Sequence, residues 1–295
     1  MRTLSFTIPP ALARKTVKAA LRQELHMANS LISRVKLRET GILLNGERVH
    51  TNHIVQTGDI LTVEIGDLPT ANPVEPIEIP FEVLWEDADL LILNKPAGIA
   101  VHGAAGKDRP PTLLNALAYY LGPEQIVHPV NRLDRGTSGV MVIAKNSYIH
   151  DRLRLVLHSG QFFREYRGIA VGNVNPACGT IDLPIGRAAD SLVKRQITPD
   201  GLPAQTMYET LSRQNGFTLL RIFPQTGRTH QIRLHFAAIG FPLVGDWLYG
   251  TENQTLIPRP ALHSFALQLI HPLTGKEIRV QAPLPDDMQQ LLMPE

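Results

Sequence analysis

The chain has 295 residues, of which 43% are hydrophobic and 19% charged, values typical of a globular protein long enough for about two domains. No apolar run approaches the roughly 18 residues of a membrane span, and the first residues carry no secretion signal, so we expect a cytosolic protein. The single cysteine, Cys178, excludes an intrachain disulfide and a multi-cysteine zinc site, and a net charge of +2 indicates no particular partner.

The first predicted unit is small and basic. Apolar residues at every fourth position predict a helix over 17–25, a second helix is expected over 29–38, and short strands joined by Gly-containing turns end near Gly66. Between residues 11 and 48, eight basic side chains outnumber three acidic ones, which leaves a local charge of +5. This distribution indicates a surface that faces phosphate groups.

A proline-rich stretch follows this unit. The sequence GDLPTANPVEPIEIP, residues 66–80, contains four prolines, which favour an extended connection over a packed element. We therefore predict a module over 1–66, a linker over 67–80 and a larger domain over 81–295. The linker also predicts that the module is tethered to the larger domain without a shared core.

The larger domain alternates strands with a few helices. Strands are predicted around FEVLWED, DLLILNKP, GVMVIAKN, EYRGIAVG, TMYETLS and FTLLRIF. Helices are predicted from Thr112 to Leu121, from Tyr148 to His158 and from Thr229 to Ala238. This mixture predicts an α+β fold on a mostly antiparallel sheet, preceded by the small α/β module.

Four stretches are too specific for ordinary scaffold: NKPAGIAVHG (94–103), NRLDRGTSG (131–139), REYRGIAVG (164–172) and QTGRTHQIRLHFAAIGFPLVGDWLYG (225–250). The second places Asp134 between two arginines and follows it with two glycines and two hydroxyls. Taken alone, such a run is typical of a polar turn capped by an aspartate. The other three stretches argue for a functional site.

In their order and wording, the four motifs resemble the RluA-like pseudouridine synthases, and the first 66 residues are similar to the S-four-type RNA-binding module. The resemblance covers nearly the whole chain. It implies the pseudouridine synthase fold and an enzyme that needs no cofactor or metal ion. Such an enzyme breaks the N1–C1′ bond of a uridine in RNA, turns the base over and rejoins it through C5. The implied partner is large-subunit ribosomal RNA or tRNA. No membrane partner is expected, and the protein is expected to be a monomer.

The resemblance also implies the catalytic residues. Asp134 occupies the position of the essential carboxylate, Arg233 that of its charged partner, and Tyr166 that of the tyrosine that packs on the uracil and takes the C5 proton. Burial alone would raise the pKa of a catalytic carboxyl group, and a nearby guanidinium opposes that shift. Strand alternation places Arg164 on the same face as Tyr166, so both can point into a cleft. Whether the carboxylate attacks C1′ or removes a C2′ proton stays open.

Arg132 is implied to fill the space that an extruded uridine leaves. This chain has Asn131 where the family usually has histidine, and Arg164 where it often has lysine. The full set of predicted RNA contacts is Arg132, Arg135, Thr137, Arg164, Arg228, His230, Arg14, Lys15, Lys18, Arg34, Lys36 and Arg38.

Other classes of protein fit the residues less well. The GAAGKD stretch at 103–108 lacks the full spacing of a phosphate-binding loop, Ser138 is not in a GxSxG elbow, and no HExxH motif supports a metal site. A glycoside hydrolase would need a second acid paired with Asp134. An RNA-binding protein of the same fold that has lost the reaction is the remaining alternative.

Overall fold

Two main β-sheets, one small and one large, organise the chain. The computed structural model describes residues 2–69, 73–103, 110–157, 159–191, 193–252 and 255–293. Most of the GAAGKD stretch, and His158 at the predicted end of a helix, lie outside these residues. No helix in the described ranges has both the length and the apolar character to cross a bilayer.

The N-terminal unit is a four-stranded antiparallel sheet with two helices. Its elements are β1 (Thr3–Thr7), α1 (Val17–Glu24), α2 (Asn29–Val35), β2 (Ile42–Leu44), β3 (Glu47–Arg48) and β4 (Ile60–Glu64), with strand order β1-β4-β2-β3. The hydroxyl of Thr16 caps α1 by accepting from the Ala19 N–H at 3.2 Å. Asn45 and Gly46 have positive φ angles, 52° and 88°, as the two-residue turn that joins β2 to β3 in a hairpin requires. Both predicted helices are confirmed, whereas the sequence analysis missed β1.

The large sheet has ten strands and is antiparallel except where β8 and β15 pair in parallel. Its core order is β10-β13-β14-β9-β15-β8-β6-β5, with β16 beside β15 and β7 beside β8; β11 and β12 form a separate pair. This arrangement confirms the predicted α+β class. The elements are β5 (Glu82–Glu86), β6 (Leu90–Lys95), α3 (Leu113–Leu121), β7 (His128–Pro129), β8 (Ser138–Ala144), α4 (Ser147–Val156), β9 (Phe162–Val171), β10 (Cys178–Asp182), β11 (Ile185–Arg187), β12 (Arg195–Ile197), β13 (Gln205–Gln214), β14 (Phe217–Pro224), α5 (Gln231–Ala238), β15 (Leu262–Ile270), β16 (Glu277–Gln281) and α6 (Asp286–Gln290).

The expectation of a module tethered without a shared core is wrong. One continuous cluster of buried apolar side chains contains Leu21 and Val35 of the module together with Leu90, Val142 and Tyr148 of the larger domain. The proline-rich composition predicted the extended backbone but carried no information about what the segments on either side pack against. The two units are therefore joined by buried apolar contact as well as by the chain.

Polar groups reinforce this junction. Arg2 donates to both carboxylate oxygens of Asp89, at 3.1 and 2.8 Å, and the Asp89 side chain is only 4% exposed. The Tyr148 hydroxyl donates to the Leu25 carbonyl at 2.8 Å. Asp67 accepts from the Ser147 N–H at 2.8 Å and lies 2.7 Å from a ring nitrogen of His128. Burial disfavours the charged form of Asp67, but these hydrogen bonds outweigh burial and lower the pKa of Asp67. The orientation of the module is fixed at several points.

We predict that Asp89→Asn lowers the free energy of unfolding of the whole chain by about 1–3 kcal/mol, because the charge-assisted hydrogen bonds that a buried carboxylate accepts from the half-exposed Arg2 are broken. Urea unfolding measures the change. Glu277→Gln is the matched control, since it removes an exposed ion pair with Arg279 and should cost about 0–1 kcal/mol. Equal effects of the two substitutions would contradict the docked arrangement.

Candidate active site

A cleft of about 510 Å³ lies where the loop between β7 and β8, strand β9 and the loop between β14 and α5 meet. It is strongly basic. Six arginines line it: Arg132, Arg135, Arg154, Arg164, Arg228 and Arg233. Among the described residues that line the cleft, Asp134 is the sole carboxylate. A cleft of this positive charge attracts a polyanion, and a bound polyanion would meet a single carboxylate among the described lining residues, that of Asp134.

The loop that carries Asp134 is shaped by two glycines. Gly139 has φ of +111°, and a Cβ there would lie 2.2 Å from the Ser264 carbonyl oxygen, so only glycine allows β8 to approach β15 this closely. A Cβ on Gly136 would lie 3.0 Å from the Pro260 ring. The Thr137 N–H donates to the Asp134 carbonyl at 3.0 Å and closes the turn. The two-glycine sequence thus sets the backbone that presents Asp134.

Arg233 is the charged neighbour of Asp134, and its position is set by another carboxylate. The Arg233 Nε and Nη2 atoms donate to the two oxygens of Asp246 at 2.7 and 2.8 Å. Its remaining nitrogen, Nη1, points to Asp134 Oδ2 at 3.4 Å. Burial disfavours the guanidinium charge, but the hydrogen bonds and charge of Asp246, aided by Asp134, outweigh it and raise the pKa of Arg233.

His230 and Tyr249 complete this side of the cleft. His230 Nε2 lies 4.0 Å from Asp134 Oδ2, and its Nδ1 lies 2.9 Å from the Tyr249 hydroxyl. The same hydroxyl accepts from the Arg195 N–H at 2.9 Å, so the Tyr249 side chain links β12 to His230. Burial, with Asp134 opposing it, lowers the pKa of His230, so the ring is neutral at pH 7.

Tyr166 faces the cleft from β9. Its ring is buried, and the predicted alternation holds: Tyr166 and Arg164 line the cleft, whereas Arg167 stacks on the Phe265 ring at 4.1 Å on the other face of the sheet. Burial raises the pKa of Tyr166, while the positive charge of Arg164 and a hydrogen bond with Ser264 oppose the rise. The phenol is therefore protonated at neutral pH.

Lys95 lies beneath the Asp134 loop and is fully buried. Its ammonium donates to the carbonyls of Pro96 and Ile99 at 2.8 and 2.9 Å, and lies 3.5 Å from that of Arg135. Burial lowers the pKa of Lys95 to about 7, with the charge of Asp134 opposing the shift and that of Arg259 adding to it. The backbone next to Asp134 is thus contacted by a buried cation that the sequence analysis did not single out.

The predicted RNA contacts fall into two groups. Arg132, Arg135, Thr137, Arg164, Arg228 and His230 line the cleft; Arg14, Lys15, Lys18, Arg34, Lys36 and Arg38 belong to the N-terminal unit and do not line it. Two of them are poorly placed for phosphate. Thr137 is only 2% exposed, and Arg38 donates to Glu64 at 3.1 Å and to the Gly66 carbonyl at 2.7 Å. Local sequence could not reveal these inward partners.

Asn131, the departure from the family pattern, is a buried structural residue. Its Oδ1 accepts from the Val142 N–H at 2.8 Å and joins the start of the loop to β8. Its Nδ2 has no hydrogen-bond partner in the described part of the chain. The amide therefore positions the loop that leads to Asp134.

Three carboxylates outside the cleft have other roles. Asp246 is fully buried and occupied by Arg233, so it is not the second acid that a glycoside hydrolase would need. Asp87, Asp89 and His271 cluster on the other side of the sheet. There, His271 Nδ1 accepts from the Leu273 and Thr274 N–H groups, which leaves the ring proton on Nε2, 3.0 Å from Asp87. A protonated nitrogen does not ligate a metal ion.

Comparison with known proteins agrees with this geometry. Residues 89–238 match the family model described as RNA pseudouridylate synthase. The chain is 35% identical over 276 residues to the uncharacterized RNA pseudouridine synthase YjbO of Bacillus subtilis (strain 168), covering 92% of this chain and 96% of that protein. It is 40% identical over 234 residues to ribosomal large subunit pseudouridine synthase D of Escherichia coli (strain K12), covering 74% of this chain and 71% of the relative.

The fold has solved counterparts as well. The structure of human RNA pseudouridylate synthase domain containing 4 superimposes with a TM-score of 0.58 at 24% identity, covering 72% of this chain and 91% of that one. The family match and the similar relatives define the chain as an RNA-modifying enzyme. The chain belongs to the RNA pseudouridylate synthase family, and it isomerises uridine in RNA to pseudouridine.

Sequence reasoning named Asp134, Tyr166 and Arg233 but missed Asp246 and Lys95. Both lie within quoted motifs, in GDWLYG and NKPAG. The available signal was a single charged residue within each motif. The partner of Asp246, however, is Arg233 on a different element, and the partners of Lys95 are backbone carbonyls.

We predict that Asp246→Asn reduces turnover and lowers the free energy of unfolding by about 3–5 kcal/mol, because the buried guanidinium of Arg233 loses its compensating charge. Thermal unfolding and turnover are measured together. Glu209→Gln removes a more exposed partner of an arginine, Arg221, and serves as the control. Wild-type stability and turnover in the Asp246 variant would show that Arg233 does not depend on this carboxylate.

Proposed function

We propose that Asp134 is the carboxylate that performs the isomerisation. The observation that carries the proposal is its place as the sole acid among the described lining residues of an arginine-rich cleft. The carboxylate is 27% exposed, so a bound uridine can reach it from the cleft. Its neighbour Arg233 holds a donor 3.4 Å from Oδ2, a charge-assisted contact that the ionised form of a carboxylate accepts.

The reaction requires that ionised form. The N1–C1′ bond breaks, the uracil turns, a C5–C1′ bond forms, and the proton lost from C5 is balanced by one gained at N1. Attack of Asp134 on C1′ and removal of a C2′ proton by Asp134 both begin from the carboxylate. Neutral His230 stands beside Asp134 without adding a second full positive charge.

Tyr166 is proposed to pack against the uracil as it turns. Its ring forms part of the cleft wall, and an aromatic face is a platform for any orientation of the base. The same residue is proposed to accept the C5 proton. Because burial raises the pKa of Tyr166, the phenol starts protonated; it must first give its own proton to the uracil, as the one gained at N1, and the charge of Arg164 favours that loss.

Arg132 is proposed to stabilise the extruded uridine. Its side chain is exposed at the cleft, two residues before Asp134, where it can enter the space that the base leaves. Extrusion costs a few kcal/mol, so such a substitute contact is needed. Arg164, Arg228, Arg135 and His230 are proposed to bind the flanking nucleotides. Buried Thr137 is left out of this set.

We infer that the N-terminal unit, residues 1–66, is the S-four-type RNA-binding module and that its basic side chains bind phosphate. The proposed contacts are Arg14, Lys15, Lys18, Arg34 and Lys36; Arg38 is left out because Glu64 and the Gly66 carbonyl bind its guanidinium. We propose large-subunit ribosomal RNA as the substrate, supported by relatives from Escherichia coli and Pseudomonas aeruginosa that are named large-subunit enzymes. tRNA is the alternative substrate.

We predict that Asp134→Asn leaves folding and RNA binding intact but reduces tritium release from 5-tritiated uridine to background, because the amide cannot act as nucleophile or base. Transcripts of large-subunit ribosomal RNA and tRNA are assayed in parallel, and release from the ribosomal transcript is expected in the wild type. Asp151→Asn, a half-exposed carboxylate on α4, is the control. Substantial turnover by the Asp134 variant would exclude this mechanism.

A further inference from the structure

The segment that precedes β15 packs against the loop that carries Asp134 and against the loop that carries Asp246. A Cβ on Gly136, two residues after Asp134, would lie 3.6 Å from the Arg259 Cβ. A Cβ on Gly245, immediately before Asp246, would lie 2.3 Å from the Arg259 carbonyl oxygen. The backbone at Arg259 therefore lies in contact with the loop of Asp134 and with the loop that fixes Arg233.

The Arg259 side chain extends this contact. It is only 7% exposed, and its Nη1 donates to the carbonyl of Gly136 at 3.2 Å. The same nitrogen lies 3.3 Å from the carbonyls of Pro260 and Leu262, at the start of β15. Arg259 thus ties the turn after Asp134 to the strand that runs parallel to β8.

The direction of the Arg259 side chain is set from helix α6. Asp287 of α6 accepts from Nε and Nη2, both at 2.7 Å, which is the two-point geometry that holds a guanidinium in one plane. The helix itself is anchored, because Met288 is fully buried in a cluster with Ile169, Ile257 and Ala261. The position of α6 is therefore transmitted to Nη1 of Arg259.

Two buried cations contact consecutive carbonyls after Asp134. Arg259 donates to that of Gly136, and Lys95 lies 3.5 Å from that of Arg135. These two contacts restrain the orientation of both carbonyls. The contacts from Arg259 and Lys95 thereby hold the backbone from which the Asp134 side chain projects toward Arg233.

We propose that Arg259 and Asp287 are positioning residues for the reaction: α6, through this ion pair, holds the Gly136 carbonyl and with it the distance between Asp134 and Arg233. The inference rests on the proposed role of Asp134. Neither Arg259 nor Asp287 lines the cleft in the described residues, so both act without touching RNA.

The test uses full-length protein and steady-state rates over a range of large-subunit ribosomal RNA concentrations, at a temperature where every variant is folded. Asp287→Asn breaks the fork while keeping the side-chain volume, and Arg259→Lys keeps the charge without the fork. Each should lower kcat roughly 10- to 100-fold at unchanged KM, because a small misplacement of a catalytic group is costly. Asp286→Asn, on the same helix with an exposed side chain, should match the wild type.

A wild-type kcat in either folded variant, or a loss confined to KM, would overturn the proposal. Asp134→Asn is assayed alongside to separate the two claims. If that variant is inactive while Asp287→Asn turns over normally, only the positioning pair is refuted. If Asp134→Asn itself turns over, the proposed role of Asp134 fails instead.

Discussion

The buried ion pair between Arg233 and Asp246 is the interaction on which the site depends. Both side chains are almost completely removed from water, so the large cost of desolvating each charge must be offset by their mutual geometry. The two-point contact uses Nε and Nη2 and fixes the plane of the guanidinium. Only Nη1 is left, and its direction toward Asp134 follows from that plane. A lysine offers no such division of donors.

The surrounding fold holds the residues of this ion pair and Asp134 in position. Asp246 lies directly after Gly245, whose φ of +72° and close approach to the Arg259 backbone exclude a side chain. Asp134 lies in a loop closed by Gly139 against Ser264. The large sheet therefore brings β8 and β15 together in its one parallel pairing among the described strands, and the proposed catalytic carboxylate, Asp134, projects from the loop that enters β8. The docked N-terminal unit adds a basic surface at a fixed orientation.

Much of this was predictable from the sequence, for physical reasons that differ between elements. Helix α3 follows apolar periodicity, and strand alternation put Tyr166 in the cleft and Arg167 outside it. These are local properties, as is the Asn45-Gly46 turn. The resemblance to a known family supplied Asp134 and Arg233.

The contacts that could not be predicted from the sequence join segments that are separated along the chain. The partner of Arg233 stands 13 residues further along the chain, and the Arg2–Asp89 contact spans 87. Neither leaves a periodic trace. Composition likewise assigned Arg38 to a phosphate-binding surface, although its guanidinium faces Glu64. The tether was inferred from prolines, which determine backbone conformation and not the apolar surfaces on either side.

The most direct test of the account is the single-turnover rate of Arg233→Lys. Lysine keeps a positive charge beside Asp134 but cannot contact both oxygens of Asp246 and Asp134 at once. The account predicts a folded protein with unchanged RNA affinity and a rate at least about 100-fold below the wild type. A rate within about threefold of the wild type would show that charge alone suffices, and would contradict the claim that the fixed guanidinium plane positions Asp134.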